Sequence, residues 1–197
     1  AGANDIAIGS GADTLLTSTD KLAIGSGTTA QGNYATAVGA YSRADGNNSS
    51  AAFGYATDAG GQGALALGYL ASAQGSQATA INYSYASGAS SFAAAITNNT
   101  SSYGATSTSS IALGSQAKVT SSNGVAIGNT ALASGSYGIA MGISSVASGS
   151  KAISIGDSCT ASTNNAVAIG HDAKSEIKGK FAYSGIKFAS AGDAQTG

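Results

Sequence analysis

The side chains able to do chemistry are few, and their spacing limits what that chemistry can be. His171 is the only histidine and Cys159 the only cysteine. One imidazole per chain cannot build a multi-histidine metal centre within that chain, and His171 is expected at a solvated position. One thiol cannot close an internal disulfide, so the redox compartment stays open. Cys159 stands where other copies of the repeat described below carry Ala, Ser or Thr, which marks it as a small buried residue. Serines are abundant, yet no Gly-x-Ser-x-Gly elbow occurs and His171 belongs to no recognisable triad. Asp45, Asp58 and Asp157 fall at different points of the repeat. On spacing they form no carboxylate pair of the kind a polysaccharide depolymerase needs. What does recur in phase is aromatic: Tyr55, Tyr69 and Tyr83, with Tyr41, Tyr85 and Tyr103 near in sequence. An exposed tyrosine row can hold the apolar faces of sugar rings. The same row can also serve as a cross-strand ladder that supports neighbouring elements.

The elements that position these residues are short and repeated. A four-residue motif, large apolar, small, large apolar, glycine, recurs about every fourteen residues. It reads Ile6-Ala7-Ile8-Gly9 at the start and Val167-Ala168-Ile169-Gly170 at the end, with twelve copies if the degenerate ones ending at Asn82 and Ala95 are counted. Counting the motif glycine as position 0, positions 11 and 13 are mostly large, position 12 is almost always Ala, and positions 3 and 5 are small. A second glycine row lies at position 7, as Gly32, Gly46, Gly61, Gly75, Gly135 and Gly149. Alternation with period two means strand. Each repeat therefore predicts two short strands and two glycine corners, where glycine accepts positive φ. The corner glycines of the motif are Gly25, Gly39, Gly54, Gly68, Gly114, Gly128, Gly142, Gly156 and Gly170.

The fold class expected is all-β: a parallel β-roll, or β-solenoid, of about twelve fourteen-residue coils. At the spacing of stacked strands such a rod is about 55 Å long. Its structural core is expected at the large motif residue, namely Ile8, Ile24, Val38, Phe53, Leu67, Ile81, Leu113, Ile127, Met141, Ile155 and Ile169. The small position 12 would then face outward and admit a neighbouring chain. So thin a core calls for a partner, and a parallel homo-oligomer closed by rotational symmetry is expected. Residues 1–172 form the repeat domain, with insertions near 14–21 and 97–110, and 173–197 form a transition segment to a following domain or the end of a fibre. Insertions in solenoids emerge as loops, often on a binding face.

Composition narrows the class further. Charged residues are 9% of the chain, and 8 basic against 9 acidic side chains leave a net charge of −1. That balance offers no basic surplus for nucleic acid. No apolar run is long enough for a membrane span, so no membrane insertion by this chain is expected. No leader pattern precedes the first repeat, so the chain reads as a processed product or excised piece. Neither a cofactor nor a metal is called for. Rival repeats fail on period: there is no six-residue repeat, no recurrent calcium-binding nonapeptide beyond the lone Gly60-Gly61-Gln62-Gly63, and no threonine ladder of the ice-binding kind at position 11.

The run Gly124-Val125-Ala126-Ile127-Gly128-Asn129-Thr130-Ala131-Leu132-Ala133-Ser134-Gly135 resembles the head repeats of YadA-like trimeric adhesins, and the resemblance covers roughly residues 1–172. It implies a left-handed parallel β-roll, an intertwined homotrimer, and a surface-attached fibre that binds host ligands. No neck sequence or heptad stalk follows the last repeat, and the segment Gly179-Lys180-Phe181-Ala182-Tyr183-Ser184-Gly185 and beyond resembles the junction after such repeats in tailed-phage fibres. The expected function is that of a structural, adhesive trimeric fibre segment of a virion, a phage tail or head fibre, and not of an enzyme. Its partners would be itself, a host cell-surface glycan or protein, and other fibre, baseplate or capsid proteins. The alternatives are the head of a bacterial trimeric autotransporter adhesin on the cell surface, and the non-catalytic shaft of a polysaccharide-degrading tailspike. Tyr55, Tyr69 and Tyr83 are the candidate ligand-binding residues.

Overall fold

A computed structural model describes residues 4–14, 20–97 and 100–185. Among these there is no helix, and the strands form two parallel sheets. The motif residues make a thirteen-stranded sheet from Ile6–Ile8 to Phe181–Ser184, with its strands in chain order. Positions 4 and 5 make an eleven-stranded sheet of two-residue strands, from Thr29–Ala30 to Lys174–Ser175. Register is strict, with Ala23 beside Ala37, Ala37 beside Ala52 and Ala52 beside Ala66. The chain thus alternates between the sheets, one coil per repeat, as the period-two patterns joined by glycine corners predict.

The side of the strand that faces inward is the reverse of the one expected. The interior is lined by positions 3, 5, 10 and 12, and nearly all of these are alanine or another small residue. In one coil Ala71, Ala73, Ala78 and Ala80 are all fully buried. The large motif residues point outward: Ile8 is 57% exposed, Phe53 38%, and Met141 and Ile155 37% each. Ile24, Val38, Leu67, Ile81, Leu113, Ile127 and Ile169 are half-buried. Two strands per coil leave a narrow gap between the sheets, which small side chains fill in nearly every coil. Residues 11 and 13 share the face opposite residue 12, so they must lie outside.

The two glycine rows have different causes. Gly54, at position 0, holds φ 134°, a region closed to other residues, and a Cβ there would also collide with the Gly68 carbonyl of the next coil. The other corner glycines named from the sequence likewise have positive φ. Gly46, at position 7, does not need positive φ. A Cβ on it would overlap the Gly61 carbonyl oxygen, so close approach of stacked corners, and not backbone conformation, selects glycine in this row. Left-handed φ recurs instead at positions 2 and 9 on ordinary residues, among them Tyr41, Ala56 and Leu70 at one corner and Tyr34, Gln77, Tyr137 and Lys151 at the other.

The insertions open at opposite corners. Asp13 still pairs with Thr29 in the short sheet and Thr14 is buried, so the first insertion, whose residues 15–19 lie outside the described residues, sits on the way back to the motif sheet. Behind it, Lys21 is fully buried and its Nζ lies 3.4 Å from an equally buried Asp5 carboxylate and 3.1 Å from the Thr14 carbonyl oxygen. The second insertion runs between Phe92–Ala94 and Gly104–Ala105, at the other corner; residues 98–99 lie outside the described residues. The two loops therefore do not share a face. Pairing also continues past residue 172, where the repeat domain was expected to end. Lys174–Ser175 pairs with Thr160–Ala161, and Phe181–Ser184 with the strand before it. The first part of the expected transition segment is one more coil, and its residues 186–197 lie outside the described residues.

Candidate functional site

Tyr55 and Tyr69 end two motif strands that run on through the corner glycine, Ala51–Tyr55 and Leu65–Tyr69. These strands keep register to the last residue, Gly54 beside Gly68 and Tyr55 beside Tyr69. Their rings stack at 5.7 Å with 12° between planes. Tyr83 follows at 6.2 Å and 51° from Tyr69. Its coil is one residue short at this corner, and Asn82 stands in for the glycine, with its side-chain oxygen accepting from the Tyr69 N–H at 3.3 Å. The three tyrosines named from the sequence are therefore brought together. Whether they bind a ligand is a separate matter taken up below.

A fourth ring belongs to the row. Tyr41 lies 5.8 Å from Tyr55, edge-on at 83°. Spacing alone misses it because it occupies position 2, and the register signal is carried by position 1. Gly27 of the preceding coil provides the seat: an added Cβ there would come within 3.0 Å of the Tyr41 ring. Tyr85, on a short strand, and the half-buried Tyr103, packed against the core, are not part of the row. The four rings are between 38% and 60% exposed. Their hydroxyls make no hydrogen bond among the described residues. Each ring contact contributes about 0.5–1.5 kcal/mol beyond area burial, so the row also stiffens its coils.

The acids are grouped in a way their positions did not suggest. Arg43 and Asp58 are register partners, and positions 4 and 6 of the short strand share its outer face. The Arg43 guanidinium therefore contacts the Asp45 carboxylate and lies 3.6 Å from Asp58. Gln74 reaches back over Gly60 to donate to Asp58 at 2.9 Å and to Ser72 at 3.0 Å. Burial pushes the Asp45 carboxyl above the ordinary range; Arg43 opposes this and Asp58 adds to it. This is an ion-pair patch on the outer side of the short sheet, with one arginine between two acids.

Cys159 is fully buried, with its thiol 3.0 Å from the Gly170 carbonyl oxygen. Burial raises its pKa, so it is not set up as a nucleophile. His171 does not stand alone in solvent. Its Nε2 lies 3.6 Å from Asp157, its register partner, and its Nδ1 3.3 Å from Asp172. No three His, Cys, Asp or Glu side chains converge as a metal site among the described residues.

Comparison with known families agrees with this geometry. The family described as YadA head domain repeat, two copies per match, matches residues 22–42, 30–55, 59–81, 105–131, 133–158 and 151–173, together more than half of the chain. No curated protein matches the chain. Repeats of this family are structural and adhesive parts of surface fibres in general. Their regular coils, alternating small and large motif residues and corner glycines are those described above, and the chain belongs to the YadA head domain repeat family.

Proposed function

We propose that three copies of this chain assemble, parallel and in register, into a segment of a surface-displayed fibre that attaches to a host surface, and that the chain is not an enzyme. One observation supports this above all: the large residues at positions 11 and 13 form a continuous apolar face on the outside of the motif sheet. Ile6, Ile8, Phe53, Ile111, Met141 and Ile155 are all more than one-third exposed. A face of this kind marks an interaction site. Because large apolar residues recur at these two positions in most coils, a second copy meets the face with the same period along the rod, as a rotationally closed assembly requires. Membership of the family supports the trimeric, adhesive reading.

Within that reading we place the fibre on a virion, where the partners are further fibre, baseplate or capsid proteins and a host surface glycan or protein. The C-terminal sequence is what favours this setting. The family match itself favours the second reading, the head of a bacterial trimeric autotransporter. Multi-angle light scattering of the purified chain tests the assembly: three times the 18.7 kDa chain mass is expected, and a monomer would remove the fibre reading. Antibodies against the chain test the setting, since they should label purified virions; labelling of bacterial envelopes instead would select the second reading.

A further inference from the structure

We propose that the corner carrying Tyr41, Tyr55, Tyr69 and Tyr83 is a binding edge for an uncharged, linear polysaccharide segment lying along the rod axis. The inference rests on the adhesive reading above for its biological setting and on the geometry of the corner for its chemistry.

The row borders the apolar sheet face. Tyr55 and Tyr69 are the last residues of motif strands whose positions 11 and 13 make the face assigned to a neighbouring copy, and Tyr41 and Tyr83 lie beyond the strand ends, at the turn. The row also holds rings where the backbone does not favour them. Tyr41 and Tyr83 have φ 58° and 41°, and the two coils before Tyr41 carry Gly11 and Gly27 at the same point. Glycine meets the conformational demand without strain, so the backbone does not explain the tyrosines.

The chemistry of the corner selects the ligand. The residues beside the rings are Ala40, Ala56 and Leu70, with no charged side chain among them. A tyrosine has an apolar body and a polar tip, and here the hydroxyls make no hydrogen bond among the described residues. A sugar ring is the complementary object, with a face of C–H groups and an edge of hydroxyls. Rings set 5.7 to 6.2 Å apart along the axis, one per coil, suit a polymer and not a single sugar. An extended peptide fits poorly. It would need free backbone groups, and the corner N–H groups are already used from coil to coil, as in Leu70 to the Tyr55 carbonyl at 3.0 Å and Tyr83 to the Tyr69 carbonyl at 2.6 Å. The second insertion rises from this same corner in the coil after Tyr83. There Thr97 shares a hydrogen bond with Ser115 at 3.0 Å, so the corner beyond Tyr83 carries hydroxyls in place of rings.

The test is calorimetric titration of the assembled protein with neutral homo-oligomers of glucose, galactose, mannose and N-acetylglucosamine of increasing length. Affinity is expected to rise with length until the ligand spans the four rings. The double variant Tyr55→Ser/Tyr69→Ser should bind roughly tenfold more weakly or worse, at unchanged oligomer mass. Tyr34→Ser/Tyr137→Ser, which removes exposed tyrosines of the opposite corner, should bind as the unaltered protein does. If the first pair fails to fold, protection of the row tyrosines from nitration by bound oligosaccharide in the unaltered protein gives the same information. No binding by any oligomer, equal binding by the folded row variant, or no protection would overturn the proposal. A trimer that ignores sugars would remove this inference and leave the fibre reading standing; a monomer that binds them would do the opposite.

Discussion

Val119 and Gly124 face each other across one coil, and a methyl group added to Gly124 would sit 2.6 Å from Val119 Cγ1. Val119 is one of the few fully buried side chains larger than the alanine, serine or threonine that fills the interior elsewhere. Gly124 stands at position 10, where most coils carry alanine or serine and Gly138 is a second glycine. The larger residue on one strand is matched by the smaller one on the other, and the gap between the sheets stays constant.

That match predicts coupling. Gly124→Ala should destabilise by about 1–3 kcal/mol through overpacking. Its φ is not in the left-handed region, so the cost is steric. Val119→Ala in the same chain should recover most of the loss. Chemical denaturation of the two single variants and the double variant measures the coupling, and simple additivity would show that the pair does not share one space.

Inside and outside should respond differently to substitution in a single motif. Ala126→Leu places a large side chain in a gap sized for a methyl group and should abolish folding of the coil. Ile127→Ser alters only the outer face, so circular dichroism should remain that of the folded protein while light scattering reports weaker assembly. Retained folding in Ala126→Leu would contradict the alanine interior.

The Asp5–Lys21 pair is buried on both sides, with exposures of 1% and 0%. Removing one partner by Asp5→Asn leaves a buried ammonium without its counter-charge and should cost about 3–5 kcal/mol. The double replacement Asp5→Leu/Lys21→Met should restore much of that. Thermal melts of the three proteins would decide between this outcome and a pair that contributes nothing.

Asp45 gives a pH dependence of definite sign. Its carboxyl titrates above the ordinary value in the folded chain, chiefly through burial. The folded state therefore favours the protonated acid, and stability falls as pH rises through the folded pKa. Asp45→Asn removes this term, so the melting temperature of the variant relative to the unaltered protein should climb as pH rises from the ordinary carboxylate range through the folded pKa. A constant difference across that window would show that the Arg43 contact fully offsets the burial.

The strands, the corners and the count of coils were legible because alternation and glycine spacing are properties of the chain itself. Which face turns inward was not, because positions 11, 12 and 13 alternate equally well either way. The deciding signal was position 10: Ala35, Ala64, Ala78, Ala152 and Ala166 extend the small pattern of position 12, so that two small residues per strand, on both strands, define the interior. Tyr55, Tyr69 and Tyr83 were legible by equal spacing, whereas Tyr41 joins them only through the fold of the turn. The Arg43, Asp45 and Asp58 cluster was hidden for a different reason: Arg43 and Asp58 share position 4 of successive coils, whereas Asp45 joins them from position 6, through its contact with Arg43.

The stacking of one coil on the next also decides how the rod behaves under tension. The hydrogen bonds between coils run along the axis, and the first and last strands lie at its opposite ends. A pull along the rod therefore opens these bonds in sequence, as a zip, and not all together in shear. The chain then yields one coil at a time, lengthening in small steps and dissipating the load, and the buried Asp5–Lys21 pair is one tie between the first two coils that such a pull must break.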